Sequence, residues 1–335
     1  MSNEEPILVA GAGSWGTALA VVLARNGHPT CLWGHHPGHI DRLARERRNE
    51  RYLPGIEFPP ALSLDDDLEA ASARSRDVIV AVPCSGLRAV LEQIAVFARP
   101  HLRLSWACKG IEHDTRLLPH QIVTHYFGDA CPTAVISGPT FAGEVAAGVP
   151  TAVVVASADG EFALSLAERL HGGSFRAYLG DDVVGVEVGG AVKNVLAIAA
   201  GISDGLGFGA NSRAALITRG LSEIMRLGVV MGGRRETFMG LTGLGDLVLT
   251  CTQDQSRNRR LGLGIAAGQT VAAAVASIGQ AVEGVHTAAA VEQLAAQHGI
   301  EMPISIQVAR LLRDECTPHE AVQALLARDL KPEML

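Results

Sequence analysis

The sequence predicts an α/β fold in which a Rossmann-type, mostly parallel sheet domain precedes an all-α domain. Two observations carry this prediction: short apolar runs alternate with helical periods over about the first 180 residues, and strand patterns then stop. We place the sheet domain at residues 1–182 and the helical domain at residues 183–335. A chain of 335 residues is long enough for two domains of ordinary size.

The first predicted elements form a strand–turn–helix unit. Residues 7–10 are a short apolar run that ends at glycine, which is typical of a buried strand. Residues 14–27 place apolar side chains at one-turn spacing and end in Asn26-Gly27, so they predict a helix. Further strands are predicted at 30–33, 77–82, 102–108, 134–137, 151–156 and 175–178, with helical segments between several of them. This alternation predicts parallel strands with helices on both faces of the sheet.

The second domain is predicted from helical segments alone. Residues 183–203 form a long run rich in glycine, alanine and valine, in which Glu187 and Lys193 are the only charged residues. Further helices are predicted near 211–231, 244–250, 256–267, 285–298, 303–315 and 318–328. Residues 261–282 carry no charge, but their alanines and glycines are too weakly apolar for a membrane span. We therefore expect two short buried helices there.

Composition excludes several classes of protein. A formal net charge of −7 argues against binding along nucleic acid, and 4% aromatic residues leave few platforms for stacking single strands. The six cysteines form no CxxC pair, which favours free thiols in a reducing cytoplasm over a disulfide framework or a zinc site. The acidic start of the chain does not fit a signal peptide. We expect a cytoplasmic protein with no metal, no membrane insertion and no nucleic-acid partner.

Lysine is rare in this chain. Of the 28 basic residues only Lys109, Lys193 and Lys331 are lysines, and the other 25 are arginines. Genome base composition accounts for an arginine excess, but not for the two interior lysines that remain. Burial can lower the pKa of a lysine, whereas an arginine keeps its proton in proteins. Lys193 is a candidate for a position that needs a removable proton, and Lys109 for one that needs a compact positive charge.

A glycine-rich turn, Gly11-Ala12-Gly13-Ser14-Trp15-Gly16, joins the first strand to the first helix. GxGxxG in this context predicts a dinucleotide site, because the glycines let the backbone approach a pyrophosphate that lies at the helix N-terminus. A tight glycine turn without a ligand is the alternative.

The end of the second predicted strand bears on cofactor choice. A site selective for NAD carries Asp or Glu there to bind the ribose 2′-hydroxyl, but this chain has Trp33-Gly34-His35-His36. No carboxylate repels a 2′-phosphate, so we expect NADPH to be accepted, with NADH as a second cofactor. Arginines follow at positions 42, 45, 47 and 48. Whether they or His36 contact the 2′-phosphate, or only form a solvated surface, is left open by the sequence.

Both interior lysines fall where ligands are expected. Lys109 directly follows the predicted strand 102–108, and open α/β sheets bind ligands beyond the carboxyl ends of their strands. Lys193 lies in a helix among small residues that leave room for a ligand, and an ammonium in apolar surroundings suits a proton donor to a nascent alkoxide. The alternatives are a structural ion pair for Lys109 and a side chain of Lys193 that reaches water.

Two further segments carry candidate polar groups. Asp246 and Thr250 lie one helical turn apart in an apolar run, and a buried carboxylate needs a partner, for which Lys193 is the candidate. A capping role is the alternative for Asp246. Ser256 is a plausible N-cap, and Arg257 and Asn258 follow at a helix start, which is an arrangement suited to phosphate. A basic surface turn is the alternative there.

Six segments together resemble one family. They are GAGSWGTALA at 11–20, CKG at 108–110, ISGPTFAGEVAAG at 136–148, GGAVKNVLAIAAGISDGLGFGAN at 189–211, GLGDLVLTCT at 243–252 and QSRNRRLG at 255–262. Through nearly its whole length the chain resembles bacterial NAD(P)-dependent glycerol-3-phosphate dehydrogenases. The resemblance implies reversible reduction of dihydroxyacetone phosphate to sn-glycerol 3-phosphate, a precursor of phospholipids. It also suggests a homodimer, the oligomeric state typical of the family.

The resemblance also implies roles for individual residues. The implied catalytic residues are Lys193, Lys109 and Asp246. The implied cofactor contacts are Gly11, Gly13, Ser14, Trp15, Gly16, His35, Lys109, Ala142, Arg257, Ala281 and Glu283. The implied substrate contacts are Lys109, Gly138, Thr140, Lys193, Asp246, Ser256, Arg257 and Asn258. Many relatives carry valine in place of Ala281 and serine in place of Thr140, which are mild departures.

Two other functions are compatible with the same architecture. A hydroxyacid or 3-hydroxyacyl-CoA dehydrogenase would rely on other catalytic groups and would leave the Ser256-Arg257-Asn258 segment without a purpose. A nucleotide-sensing module would bind the cofactor without turnover, and the joint presence of Lys109, Lys193, Asp246 and Arg257 argues against it.

Overall fold

The structure is a computed structural model that describes residues 5–330 and 332–333. Lys331 lies outside the described residues. The strands are β1 (Ile7–Ala10), β2 (Thr30–Trp33), β3 (Arg48–Asn49), β4 (Leu53–Glu57), β5 (Leu62–Asp65), β6 (Asp77–Val80), β7 (Arg103–Trp106), β8 (Thr133–Ser137), β9 (Thr151–Ala156) and β10 (Phe175–Gly180). The helices of the first half are α1 (Ser14–Arg25), α2 (Pro37–Glu46), α3 (Leu68–Ala73), α4 (Cys84–Val96), α5 (Pro119–Phe127), α6 (Ala142–Ala147) and α7 (Gly160–Leu170).

Eight of the strands form one sheet in the order β10-β9-β8-β7-β6-β1-β2-β5. The strands from β5 to β8 are parallel, β9 runs antiparallel to β8, and β10 is parallel to β9. The mostly parallel sheet predicted from the sequence is therefore confirmed. The strand order reverses between β1 and β6, and ligands of open α/β sheets bind in the crevice at such a point.

The sheet is buried on both faces. Ile7 and Val9 of β1 belong to an apolar core with α1, α2 and α7, whereas Leu8 and Ala10 belong to a second core with α4 and α5. This division follows from the alternation of side chains along a strand. It also explains why β1 is a continuous apolar run rather than an alternating one.

Three strands have no counterpart in the sequence prediction. The edge strand β5 has only two apolar residues, Leu62 and Leu64, so its pattern is too short to stand out. The strands β3 and β4 form a separate antiparallel hairpin, and β3 contains no apolar residue. The strand β5 pairs with β2 at the edge of the sheet, and Asn49 of the hairpin binds the glycine turn that follows β1.

The second half of the chain is helical, as predicted. Its helices are α8 (Val183–Gly205), α9 (Gly209–Val230), α10 (Arg235–Phe238), α11 (Asp246–Thr252), α12 (Arg257–Ala266), α13 (Val271–Ile278), α14 (Glu283–His298), α15 (Pro303–Leu312) and α16 (Pro318–Leu326), with a π-helical turn at Leu241–Gly245. The central helix is α8, which packs against α9, α11, α12 and α14. Asp182 caps its start by accepting a hydrogen bond from the Gly185 amide at 2.8 Å.

Glycines let the helices of this half approach closely. A Cβ on Gly201 would lie 2.1 Å from the Arg259 carbonyl oxygen, and one on Gly262 would lie 2.1 Å from that of Ile198. The same holds near Lys193, where a Cβ on Gly189 would lie 2.8 Å from the Thr242 carbonyl oxygen. The expectation that small neighbours of Lys193 leave room for a ligand is therefore wrong at Gly189, where protein backbone fills that space.

Among the described residues, α8 is the one helix long and apolar enough to span a membrane, and 89% of its apolar window is buried inside the protein. It is therefore a core helix. The charge-free stretch 261–282 contains the end of α12 and all of α13. The prediction of two buried helices is right for α12 and wrong for α13, because only Ala274 of α13 is buried.

Candidate active site

A cavity of about 1260 Å³ is lined by residues of both halves of the chain. It includes the glycine turn after β1, the ends of β2 and β7, and the start of α12. This is the edge of the sheet where the parallel strands end, so the fold itself places the cavity where a nucleotide is expected.

Two lysines share one carboxylate at this cavity. Lys193 Nζ donates to Asp246 Oδ1 at 2.5 Å and to Thr250 Oγ1 at 2.9 Å. Lys109 Nζ donates to Asp246 Oδ2 at 2.7 Å and to the Gly138 carbonyl oxygen at 2.8 Å. Asp246 is fully buried, whereas both lysines line the cavity. The carboxylate therefore holds two ammonium groups side by side at the cavity wall.

The backbone around Asp246 differs from the predicted single helix over 244–250. The π-helical turn Leu241–Gly245 comes first, and α11 then begins at Asp246 itself. A Cβ on Gly243 would lie 2.0 Å from the Phe238 carbonyl oxygen, so the turn needs glycine there. Single π-helical turns are frequent at functional sites. Asp246 and Thr250 still lie one turn apart, and both reach Lys193.

Burial and charge set the protonation of this cluster. Burial lowers the pKa of Lys193 to about 8, Lys109 acts in the same direction, and Asp246 opposes them. Burial opposes the charge of Asp246, but the two lysines outweigh it and lower the pKa of this carboxyl. At neutral pH the cluster thus contains a carboxylate and a lysine that can release its proton near physiological pH.

The glycine turn leaves room for a phosphate. Gly11 has a φ of +136°, and a Cβ there would lie 2.6 Å from the Ala81 carbonyl oxygen. A Cβ on Gly13, in contrast, would meet no atom within 4 Å. No side chain caps α1, and the buried Trp15 Nε1 has no hydrogen-bond partner among the described residues. Open space above an uncapped helix N-terminus fits the pyrophosphate of a dinucleotide.

A second anion site lies at the start of α12. Ser256 caps this helix by accepting a hydrogen bond from the Arg259 amide at 3.2 Å, as the sequence predicts. Its hydroxyl proton stays available to a ligand. Arg257 lines the cavity and makes no hydrogen bond to another described residue. A free guanidinium beside a helix N-terminus fits a phosphate group.

Most of the residues implied by the resemblance line this one cavity. They are Gly11, Gly13, Ser14, Trp15, His35, Lys109, Thr140, Ala142, Lys193, Ser256, Arg257, Asn258, Ala281 and Glu283. The remaining residues, Gly16, Gly138 and Asp246, lie behind the wall. Gly16 packs against the Gly11 carbonyl oxygen, and Gly138 and Asp246 hold Lys109.

Comparison with known proteins agrees with this geometry. A family model described as the N-terminal part of NAD-dependent glycerol-3-phosphate dehydrogenase matches residues 6–163, and its C-terminal counterpart matches residues 182–323. The chain belongs to this family. It is 55% identical over 326 residues to a glycerol-3-phosphate dehydrogenase (NAD(P)+) of Nitrosococcus oceani, a match that covers 97% of this chain and 95% of the relative.

Two more members of the family give the same result. A glycerol-3-phosphate dehydrogenase (NAD(P)+) of Thioalkalivibrio sulfidiphilus is 55% identical over 331 residues, which is 99% of each chain. The crystal structure of glycerol-3-phosphate dehydrogenase from Coxiella burnetii is 49% identical and superposes with a TM-score of 0.94, covering 97% of this chain and 99% of that one.

Sequence reasoning missed several polar residues of this glycerol-3-phosphate dehydrogenase site, and Asn194 is one of them. Asn194 lines the cavity, and its Nδ2 donates to the Lys109 carbonyl oxygen at 3.2 Å. Its Oδ1 accepts from Asn258 Nδ2 at 2.9 Å, and Asn258 Oδ1 accepts from the Gly284 amide at 3.0 Å. The two amides thus connect Lys109, which follows β7, to the start of α12. The signal was an amide next to Lys193 in a helical run whose other residues are mostly apolar.

Proposed function

We propose that this chain catalyses the reversible NAD(P)H-dependent reduction of dihydroxyacetone phosphate to sn-glycerol 3-phosphate. The observation that supports this most is the pair of lysines on one buried carboxylate, beside an anion site at the start of α12. A ketone that also carries a phosphate needs both features in one cavity. The membership of the family supports the same reaction.

The catalytic roles follow from the positions of the charges. When bound, the reduced nicotinamide supplies the hydride. Lys109 and Lys193 stabilise the negative charge that develops on the carbonyl oxygen, and Lys193 Nζ gives that oxygen its proton. Asp246 keeps both ammonium groups in place and raises the pKa of Lys193 against the effect of burial. In the reverse direction, neutral Lys193 accepts the proton of the substrate hydroxyl.

Binding roles are divided between the two halves. We propose that residues 1–182 form the dinucleotide-binding domain and residues 183–335 the substrate and catalytic domain. Ser256, Arg257 and Asn258 hold the substrate phosphate, which orients the carbonyl toward the lysines. Gly138 and Thr140 complete the substrate site, and the cofactor is held by Gly11, Gly13, Ser14, Trp15, Gly16, His35, Lys109, Ala142, Arg257, Ala281 and Glu283.

We further propose that the enzyme works in the cytoplasm, where its product enters glycerophospholipid synthesis, and that it forms a homodimer. Size-exclusion chromatography with light scattering tests the assembly directly. A monomer at working enzyme concentrations would contradict the dimer without affecting the reaction.

The reaction is tested by following NADPH and NADH absorbance with dihydroxyacetone phosphate. We expect oxidation of NADPH and of NADH by the unmodified chain. Lys193→Arg should lower turnover by about 100- to 10,000-fold, because arginine cannot release a proton. Lys109→Arg is the matched variant and should retain more activity, since only a positive charge is needed there. Oxidation of neither cofactor would overturn the proposed function, and near-normal turnover of Lys193→Arg would overturn the proton-donor role.

A further inference from the structure

The cavity extends beyond the end of β2 to a region rich in basic side chains. His35, His36 and Arg51 line it there, together with Tyr52. Among the described residues, the acidic side chains that line the cavity are Asp254 and Glu283, which belong to the helical half. The cavity wall beside β2 therefore has positive and neutral groups and no carboxylate, whereas Glu46 and Glu50 lie with Arg51 at a second, smaller pocket.

The hairpin formed by β3 and β4 holds Arg51 in this position. Asn49 is completely buried, and its Nδ2 donates to the Ala12 carbonyl oxygen at 3.1 Å and to Thr17 Oγ1 at 2.9 Å. Ala12 belongs to the glycine turn and Thr17 to α1, so the hairpin is attached directly to the glycine turn and to the helix that follows it. Arg51 comes two residues later.

The side chain of Arg51 is also ordered by its neighbour. Its guanidinium lies over the ring of Tyr52, 5.0 Å from the ring centroid. Such stacking leaves the N–H groups at the edge of the guanidinium plane available to a ligand. Arg51 makes no hydrogen bond and no ion pair with another residue in the described ranges.

The other arginines of this segment are placed differently. Arg47 donates to the Leu62 carbonyl oxygen at 2.9 Å and to that of Pro59 at 2.7 Å, so it stabilises the chain before β5. Arg48 pairs with Glu50 at 3.5 Å. Neither these two nor Arg42 and Arg45 are among the described residues that line the cavity.

We propose that Arg51 binds the 2′-phosphate of NADPH and sets the preference for NADPH over NADH. A guanidinium can form two parallel hydrogen bonds to a phosphate, and Arg51 makes no ion pair with a carboxylate of the described residues. The 2′-hydroxyl of NADH offers no charge to the same group. This inference rests on the proposed function for its cofactor class, and it answers which arginine of the segment faces the adenosine ribose.

Calorimetric titration with 2′,5′-ADP and with 5′-ADP tests the contact without any turnover. We expect Arg51→Ala to weaken binding of 2′,5′-ADP by about 10- to 100-fold, the effect of losing hydrogen bonds to a charged group. Binding of 5′-ADP should change by less than about threefold, because the lost contact involves only the 2′-phosphate. Arg51→Lys should fall between, since lysine keeps the charge but not the paired geometry. Dissociation constants of NADPH and NADH, from quenching of tryptophan fluorescence, should follow the same pattern.

Arg48→Ala is the matched control, since it removes an arginine of the same hairpin that lies off the cavity. It should leave the affinity of both nucleotides unchanged. Equal weakening of 2′,5′-ADP and 5′-ADP by Arg51→Ala would overturn the inference, because it would indicate a general effect on the hairpin. Unchanged binding of 2′,5′-ADP would overturn it as well, and would leave the dehydrogenase reaction standing. Failure of the unmodified chain to bind either dinucleotide would contradict the proposed function itself.

Discussion

Replacing Asp246 by asparagine tests the electrostatic core of the proposed mechanism. The carboxylate accepts from Lys193 at 2.5 Å and from Lys109 at 2.7 Å, and it raises the pKa of Lys193 against burial. Without it, the two ammonium groups face each other in a buried site. Lys193 should then lose its proton at a lower pH than in the unmodified enzyme.

The size of this change follows from Coulomb's law. Unit charges about 4 Å apart interact by about 4 kcal/mol at an effective dielectric constant of about 20, which corresponds to a change of about 3 in pKa. The pKa of Lys193, about 8 in the intact cluster, should therefore fall to about 5 in Asp246→Asn. At pH 7 the protonated fraction drops by roughly 100-fold, although a stronger acid donates more readily and recovers part of the rate. We expect a net loss between about 10- and 100-fold.

The assay is the pH profile of kcat/KM for dihydroxyacetone phosphate reduction. Reduction needs protonated Lys193, so the rate of the unmodified enzyme should be constant at lower pH and decline above about pH 8. In Asp246→Asn the decline should begin near pH 5, as calculated from the lost charge. At any one pH the reverse reaction must fall by the same factor, because the equilibrium constant is unchanged.

Thr250→Val is the matched control, because it removes a hydrogen bond to Lys193 and leaves every charge in place. Its decline should stay near pH 8. Circular dichroism and nucleotide binding check that each variant is folded. An Asp246→Asn enzyme that loses activity equally at every pH, with its decline still near pH 8, would refute the electrostatic role.

Two further predictions concern binding and stability. Gly13→Ala should weaken NADPH binding and leave the thermal midpoint of unfolding unchanged, because its Cβ points into open space. Gly11→Ala should lower both the NADPH affinity and the thermal midpoint, because its Cβ would lie 2.6 Å from the Ala81 carbonyl oxygen. Equal thermal midpoints for the two variants would contradict this prediction. Glu223→Gln should reduce the free energy of unfolding by about 1–3 kcal/mol and leave turnover unchanged, because the buried carboxylate accepts from the amides of Ile304 at 2.6 Å and Ser305 at 3.0 Å. Urea titration measures that loss, and an unchanged midpoint would show that the capping of α15 contributes nothing.

Much of the fold could be predicted because its signals are local. The apolar run of β1, the glycine turn and the helical period of α1 lie within about 20 residues, and each has a direct physical cause. The need of a buried carboxylate for a partner also led correctly from Asp246 to Lys193. That inference needs only one helical spacing and one rule about buried charge.

The remaining features depend on contacts between distant parts of the chain. Asp246 also binds Lys109, 137 residues away, and no periodicity connects them. The hairpin that holds Arg51 has too few apolar residues to predict strands. Asn49 is a polar residue whose burial depends on its hydrogen bond to the glycine turn, a contact that the local sequence does not reveal. Likewise, Gly189 suggested space for a ligand beside Lys193, but the backbone of the π-helical turn fills it.

The carboxylate of Asp246 also makes turnover depend on contact between the two halves of the chain. Lys109 follows β7 in the sheet half, whereas Asp246 and Lys193 belong to the helical half. Neither half alone contains both ammonium groups, so a chain cut between β10 and α8 would give two inert fragments. Activity regained on mixing the two fragments would depend on their concentrations. The dependence of turnover on fragment concentration would therefore measure how tightly the two halves bind each other.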